Sequence, residues 1–485
     1  MSDLIRIAKK DETYIQIDAN RGILQEMSDY FTFSVPGYQF MPAYRNKVWD
    51  GRIRLLNLKN NQLYHGLLHY VKKFCEDREY KILVEGLEKT YQDFSYKKLH
   101  DFTQSISLSV EPRDYQLQAV THCIKENRAL LLSPTASGKS LIIYLLLRLL
   151  NTRSLIIVPT VSLTSQMKSD FASYDPKWDV EKLCYIIKQG REKVSDKQII
   201  ISTWQSIYKL PKKYFEDFKL VVGDEAHLFK AKSLNNVMTK VSNANYRFGT
   251  TGTLDDTQTH KLILEGLFGP MFNVTSTKDL IDAKYLAKFA IKVLILKYSE
   301  ETSKLVKKMS YQEEMDFIVN YEKRNKFIRN LAIDQKGNTL LLFQYVEKHG
   351  KILYEMIRDK ATDERKVFFV HGGVSGDERE EIRRITEQEG DAIIVASYGT
   401  FSTGINIRNL HNIIFASPSK SKIRNLQSIG RGLRKGNNKK EATLFDIADD
   451  FTHGARVNYT LQHFKERIKQ YNEQEFKYSL FTIDM

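Results

Sequence analysis

Ser133-Pro134-Thr135-Ala136-Ser137-Gly138-Lys139-Ser140 lies between two apolar runs, residues 129–132 and 141–147. That order predicts a strand, a phosphate-cradling turn and a helix. A bound polyphosphate needs backbone N–H groups, a helix N-terminus and a cation. Gly138 permits close backbone approach, Lys139 supplies the cation, and Ser140 offers a hydroxyl to Mg²⁺. Thr135 and Ser137 complete the expected cradle. Ser133 stands where the usual pattern, G-x-x-x-x-G-K-[ST], opens on glycine. The competing reading is a chance Gly-Lys-Ser in a hydroxyl-rich turn.

A second stretch argues against chance. Leu220-Val221-Val222-Gly223-Asp224-Glu225-Ala226-His227 is a short apolar strand ending in adjacent acids. Unpaired buried carboxylates are costly, so two at a strand end point to chemistry. Asp224 is placed to hold Mg²⁺, and Glu225 to orient and deprotonate an attacking water. About 25 residues on, Phe248-Gly249-Thr250-Thr251-Gly252-Thr253 follows. There Thr251 and Thr253 are candidates to link Glu225 or His227 across a cleft. Ahead of the phosphate turn, Pro112-Arg113-Asp114-Tyr115-Gln116 opens a helix. The Gln116 amide donates and accepts at once, which suits an adenine edge, and Arg113 or Tyr115 can cover the ring.

The chain has 485 residues, 27% of them charged and 42% hydrophobic, an ordinary globular mix with room for three or four domains. Its 74 basic and 59 acidic residues leave a net charge of +15, which suits a polyanionic partner. Cys75, Cys123 and Cys184 offer neither a disulfide framework nor a zinc spacing, and fit a reducing compartment. The sequence opens on no signal peptide. Its most apolar region, 141–158, is broken by Arg148 and Asn151-Thr152-Arg153, so it reads as helix, turn and buried strand.

Residues 1–95 are expected to form a small α+β domain, with a strand near 12–18 and helices near 21–31 and 67–78. A hairpin is expected to pair 51–56 with the region of Leu63 and Tyr64 across Lys59-Asn60-Asn61. Within this module Tyr44-Arg45-Asn46-Lys47-Val48-Trp49-Asp50-Gly51-Arg52 interleaves aromatic with basic side chains. Arg45, Lys47, Trp49 and Arg52 are therefore candidate contacts to a duplex. The alternative makes Trp49 core and the cations solvated. Residues 96–111 read as a polar linker, and 112–275 as a first core of alternating strands and helices. Thr160 and Gln166, beyond the strand at 155–158, and Thr203, beyond the strand at 198–201, are candidate nucleic-acid contacts at strand carboxyl ends. Trp204 could play a similar role, although a tryptophan there is more often core.

A bridging strand and a long helix occupy 276–335. A second alternating core spans 336–450, with a helical extension at 451–485. The second core has no Gly-Lys-Ser turn and supplies arginine instead. Gln427-Ser428-Ile429-Gly430-Arg431-Gly432-Leu433-Arg434 sets Arg431 and Arg434 on one helix face, where both can neutralise a γ-phosphate. Thr400 and Gly404, after the strand near 392–396, are candidates for the phosphodiester backbone and the nucleotide.

The ordered set Gln116, Lys139, Asp224-Glu225-Ala226-His227, Thr251-Gly252-Thr253, Gly404 and Gln427/Arg431/Arg434 resembles helicase superfamily 2 over residues 112–450. The resemblance is nearest to the UvsW-like DNA helicases of T-even phages, and it extends to Val48-Trp49-Asp50-Gly51-Arg52 in the N-terminal module. It implies two tandem RecA-like parallel-sheet domains and an ATP- and Mg²⁺-dependent helicase. Gln116 would lie on adenine, Lys139 and Ser140 on phosphate and Mg²⁺, and Asp224 and Glu225 in hydrolysis. Gln427 would neighbour the water or γ-phosphate, with Arg431 and Arg434 as fingers. The implied substrates are branched, single- and double-stranded DNA and RNA–DNA hybrids. Implied protein partners are phage recombination or single-strand-binding proteins, in the cytoplasm of an infected bacterium with no membrane. Thr251-Gly252-Thr253 departs from the commoner S-A-T. The competing functions are the motor subunit of a restriction complex and a nucleotide-dependent DNA clamp that does not unwind.

Overall fold

The computed structural model describes residues 4–485 except 88–90, 189–191, 255–256, 405–406, 408, 420 and 434–440. The side chains of 230, 258–259, 402–404, 422–424 and 431 also lie outside the description. The chain forms two compact units, Met1–Ser133 with Gly138–Val274, and Thr275–Met485 with Pro134–Ser137.

The first unit is built on a seven-stranded parallel sheet. Its order is Met271–Asn273, Arg128–Leu132, Tyr246–Thr251, Leu220–Asp224, Ser154–Val158, Ile199–Thr203 and Cys184–Ile187. A parallel sheet covered on both faces needs near-continuous apolar strands. Ile199-Ile200-Ile201 and Leu155-Ile156-Ile157-Val158 meet that need, and each of these residues is buried. Helix Lys139–Leu150 is apolar almost all round because it lies inside the molecule, with Leu141 through Leu147 buried. Asn151 ends it in the left-handed conformation (φ 43°) and turns the chain into the strand Ser154–Val158. The apolar region 141–158 is thus helix, turn and strand, as its polar interruptions predict. Among the described residues no helix is long and apolar enough to cross a membrane.

The N-terminal residues form a four-stranded sheet ordered Gln62–Tyr64, Tyr14–Asp18, Leu4–Lys9 and Lys81–Glu85. The expected hairpin across 59–61 is not the pairing adopted. Gln62–Tyr64 pairs with Tyr14–Asp18, whereas Arg52–Arg54 pairs with Thr32–Ser34 as a separate two-stranded ribbon. Local turn chemistry suggested the wrong partner because both alternatives are antiparallel and only tertiary packing chooses between them. The linker expected at 96–111 contains the helix Tyr96–Ser105, whose Leu99 is buried among the first core's apolar residues.

The module shares one apolar core with the parallel-sheet half of the unit, from Ile5, Ile7 and Phe74 through to Phe229, Leu264 and Phe268. Gly66 and Gly266 make the approach possible. A Cβ on Gly66 would lie 2.0 Å from the Glu265 carbonyl oxygen, and one on Gly266 3.0 Å from the Tyr64 ring. Two buried arginines fasten the contact. Arg128 donates to the Glu12 carboxylate at 3.0 Å and to the Glu12 carbonyl at 3.2 and 3.3 Å. Arg247 is fully buried and donates to the carbonyls of Leu267, Val241 and Met238 at 2.7–2.9 Å, with Thr13 Oγ1 at 3.5 Å. Burial first, then each other's charge in the case of Arg247, pulls their pKa values down to about 10 for Arg128 and about 9 for Arg247. Tyr70 Oη donates to Glu265 at 2.8 Å and Tyr64 Oη to Asn235 at 3.2 Å.

The second unit carries another seven-stranded parallel sheet, ordered Val367–Val370, Ile393–Ser397, Thr339–Phe343, Asn412–Phe415, Glu441–Asp450, Lys288–Lys297 and Tyr478–Asp484. The bridging strand is therefore a full member of this sheet. The expected long helix is two, Tyr311–Asn320 and Glu322–Asp334, separated at Tyr321. The C-terminal extension holds the helix Tyr459–Glu473 and then contributes the edge strand. Asp446 binds that helix through Arg467, at 2.9 and 3.0 Å, and through Tyr471 Oη at 2.8 Å.

Removing one partner of a buried ion pair leaves the other charge uncompensated. Glu12→Ala should therefore destabilise the first unit by about 3 kcal/mol. All three tryptophans, Trp49, Trp178 and Trp204, lie in that unit, so urea unfolding followed by tryptophan fluorescence measures the loss.

Candidate nucleotide and nucleic-acid site

The phosphate turn joins the end of the strand Arg128–Leu132 to the N-terminus of Lys139–Leu150. Its left-handed positions are Ala136 (φ 67°) and Gly138 (φ 82°). Gly138 is required for a second reason: a Cβ there would lie 2.2 Å from Gln116 Nε2. Ser133 is buried and its N–H donates to the Thr251 carbonyl at 2.8 Å, which ties the turn to the neighbouring strand end. Lys139 Nζ donates to the Ser133 carbonyl at 3.2 Å, and Ser137 Oγ to the Pro134 carbonyl at 2.7 Å. Gln116 Oε1 accepts from the Arg113 N–H at 2.9 Å at the start of helix Asp114–Glu126. Arg113 Nη1 donates to Tyr115 Oη at 2.7 Å. Gln116 is therefore brought against the phosphate turn, with Arg113 and Tyr115 bonded beside it.

Asp224 ends the strand Leu220–Asp224, two strands from the phosphate turn across Tyr246–Thr251. Thr250 Oγ1 donates to Asp224 Oδ1 at 2.7 Å. Burial and then the adjacent Glu225 charge raise the Asp224 pKa, against the pull of the Lys139 ammonium and the Thr250 hydrogen bond. Asp224 offers a carboxylate oxygen of the kind a divalent cation takes, whereas the Lys139 ammonium brings charge and cannot ligate. Glu225 itself sits in the left-handed region (φ 52°, ψ 52°), which is strained for a residue with a side chain.

From Glu225 a chain of contacts leads away. His227 Nδ1 lies 3.4 Å from Glu225 Oε2 and 3.0 Å from Thr251 Oγ1. Thr251 Oγ1 spends its only proton on the Thr253 carbonyl at 2.8 Å, so it accepts from His227, and Nδ1 carries the imidazole proton. Thr251 thus lies against His227, and Thr253 is joined to it through its carbonyl.

Thr160 follows the strand Ser154–Val158, and Thr203 ends the adjacent strand in register with Val158. Thr160 caps the helix Val161–Tyr174, and Gln166 is exposed on it. Thr203 differs: it is buried, and its hydroxyl lies 3.0 Å from Ser206 Oγ. Trp204 packs against the apolar core. In the second unit Thr400 is buried at the start of helix Tyr398–Gly404, with Ser397 Oγ donating to its hydroxyl at 2.8 Å. Gly404 ends that helix. Gln427 is buried in helix Lys422–Gly432, which also carries Arg431. The Arg431 side chain and Arg434 lie outside the described residues. Arg45, Lys47 and Arg52 are exposed, while Trp49 is half-buried and donates from Nε1 to the Arg52 carbonyl at 2.9 Å.

Three polar supports were not found by sequence reading. Tyr174 Oη lies 2.7 Å from Ser140 Oγ, and burial pushes its phenol up to about 12. Thr250 holds Asp224. Arg128 and Arg247 fasten the N-terminal module. Only the arginines left a trace in the sequence: each interrupts or opens an apolar strand, which demands a buried acceptor.

Two parallel-sheet units, with a Gly-Lys-Ser turn after Arg128–Leu132 and an acidic pair at the end of Leu220–Asp224 in the same sheet, are the architecture of a superfamily 2 helicase. Residues 4–85 match the family described as DNA helicase UvsW, N-terminal, residues 109–256 the type III restriction enzyme res subunit, and 322–436 the helicase conserved C-terminal domain. The ATP-dependent DNA helicase UvsW of Enterobacteria phage T4 is 33% identical over 99% of this chain and all of its own. Its crystal structure aligns over the whole of both chains with a TM-score of 0.52. The DNA 3′-5′ translocase XPB2 of Sulfurisphaera tokodaii is 26% identical over 72% of this chain and 84% of its own. The chain belongs to the UvsW-like family of ATP-dependent DNA helicases.

Glu225→Gln keeps the size of the side chain but removes its negative charge, and so tests Glu225 as the base. Steady-state ATP turnover should fall by about 10²–10⁴-fold, the range of a lost general base, while nucleotide titration shows retained binding.

Proposed function

We propose that the chain is a DNA motor that uses ATP hydrolysis to remodel branched DNA: junction migration, fork regression and removal of RNA–DNA hybrids. One observation carries the branched-substrate reading. An exposed basic excursion, with Arg45, Lys47 and Arg52, belongs to the same compact unit as the hydrolytic residues. The shared core and the Arg128–Glu12 contact support transmission of motion between them. On this reading the excursion holds a duplex arm through phosphates, with Thr160 and Gln166 on the strand being tracked. In the second unit, Gly404 would contribute to the nucleotide, while Thr400, buried like Thr203, is left off that track. The setting would be replication and recombination intermediates in the cytoplasm of an infected bacterium, with single-strand-binding or recombination proteins as partners.

Within the motor half, Gln116 would hold adenine, and Thr135, Ser137, Gly138 and Lys139 the phosphates. Ser140 and Asp224 would hold Mg²⁺, which neutralises phosphate charge during transfer. Glu225 takes the proton from the attacking water. His227 and Thr251 then pass the change in that carboxylate to Thr253, so the spent nucleotide alters the grip on DNA. Different affinities for the strand in the two nucleotide states give directed movement. Arg431, with Gln427 and Arg434 on or beside the same helix, would complete the charge neutralisation from the second unit.

Arg431→Ala should retain nucleotide binding and lose DNA-stimulated turnover by about 10³-fold. A rate near that of the unaltered chain removes the finger assignment. For the substrate, fork-binding titrations at several salt concentrations provide the test. Arg45→Ala with Lys47→Ala should lower the slope of log K against log salt by roughly 1 per lost phosphate contact. An unchanged slope in a folded double variant moves the duplex contacts off the excursion. A clamp would bind forks without remodelling them, and a restriction motor would accompany cleavage of the DNA.

A further inference from the structure

The basic excursion has a feature that phosphate binding does not use. Residues 35–51 leave the ribbon formed by Thr32–Ser34 and Arg52–Arg54 and return to it. The base is fixed. Phe33 and Ile53 pack on the apolar core of the first unit, and Leu55 and Leu56 are buried in it. The excursion is also organised internally. Gly51, at φ +78°, leaves room for the Tyr38 ring, which a Cβ would meet at 2.2 Å. Tyr38 and Tyr44 meet edge to face with centroids 4.7 Å apart. Val35 N–H donates to the Gly51 carbonyl at 2.9 Å and Val48 N–H to the Ala43 carbonyl at 3.0 Å.

On this braced support the apolar side chains face outward. Phe40 is 72% exposed and Val48 82%, with Met41 and Tyr44 also exposed. From residue 34 to 54 the basic side chains are Arg45, Lys47, Arg52 and Arg54, and the sole acid, Asp50, is paired with Arg54 at 2.5 Å. Exposed apolar side chains in a segment whose cations outnumber its one acid are complementary to stacked bases between phosphates, and poorly suited to another basic surface. Apolar side chains that enter a base step unstack it while flanking cations hold the backbone.

We propose that the excursion is a strand-separating wedge. Phe40 stacks on the terminal base pair at the branch point of a DNA junction in place of the next pair. Val48 excludes water beside it, and Arg45, Lys47 and Arg52 hold the adjoining phosphates. This rests on the branched-DNA reading above and adds where on that DNA the module sits and what it does there.

The test uses the full chain and a fork carrying 2-aminopurine in the pair that Phe40 would displace, with Phe40→Ala, Phe40→Leu and the Arg45→Ala/Lys47→Ala double variant. Phe40 is exposed, and a thermal melt confirms that its variants fold. Binding of the unaltered chain should raise 2-aminopurine fluorescence. Phe40→Ala should abolish that rise at saturating protein and slow fork remodelling by about tenfold, the scale of one lost base stack. Its ATP turnover on single-stranded DNA should be unchanged, and Phe40→Leu, which keeps an apolar wedge, should restore much of the rise. The double variant should need more protein but reach the same fluorescence. A full rise with Phe40→Ala overturns the wedge. So does a self-association that Phe40→Ala dissolves while fork remodelling persists, which would make the tip a contact between copies. Failure of the unaltered chain to bind forks at all would instead overturn the branched-DNA reading.

Discussion

Both faces of a parallel sheet are covered, so polar chemistry is pushed to its strand ends. That constraint organises the first unit. The phosphate turn follows Arg128–Leu132, the acidic pair ends Leu220–Asp224, the threonine relay ends Tyr246–Thr251, and the nucleic-acid candidates stand at the ends of Ser154–Val158 and Ile199–Thr203. Because these strands are neighbours in one sheet, residues more than a hundred positions apart become a single site. The Ser133 N–H bond to the Thr251 carbonyl is the covalently unlinked seam between nucleotide turn and relay.

The same constraint explains the N-terminal module. Arg128 and Arg247 lie on adjacent strands, in register with each other, at the end of the sheet away from the acids. Each is deeply buried, and each would be prohibitively costly without acceptors. The Arg247 acceptors are mostly carbonyls of its own core, whereas Arg128 depends on Glu12 from the module. The module is thus part of what makes the motor's sheet electrostatically complete, and removing it would expose Phe229, Leu264 and Phe268 along with the arginines. The same sheet therefore carries the acidic strand ends at one end and the module's Glu12 contact at the other.

The strained Glu225 backbone fits this economy. A left-handed conformation for a side-chain-bearing residue persists only where the surroundings over-determine it. Here the apolar strand before it, the buried Ala226 after it and the contact with His227 hold the carboxylate turned toward the relay. Tyr174 plays the comparable part for Ser140: a protonated phenol at 2.7 Å fixes the hydroxyl that precedes any metal contact.

The sequence by itself determined the class of fold and set the Gly-Lys-Ser turn, the acidic pair and Thr251 at strand ends. Each of these is a local pattern whose chemistry is carried by neighbouring residues in the chain. Apolar runs of four or five residues ending in Gly-Lys-Ser or Asp-Glu have few other uses. It also exposed the aromatic and basic tract at 44–52. It mispaired the strands around 52–64, read the helix at 96–105 as linker, and offered Thr203 as a surface contact although it is buried. Tertiary structure alone decided these, because antiparallel partners, the covering of a helix face and the burial of a hydroxyl depend on residues distant in the chain. The partners of Arg128 and Arg247, Tyr174 at Ser140, and the outward stance of Phe40 and Val48 belong to the same group. An arginine in an apolar strand announces that an acceptor must exist, and only the folded chain says which one.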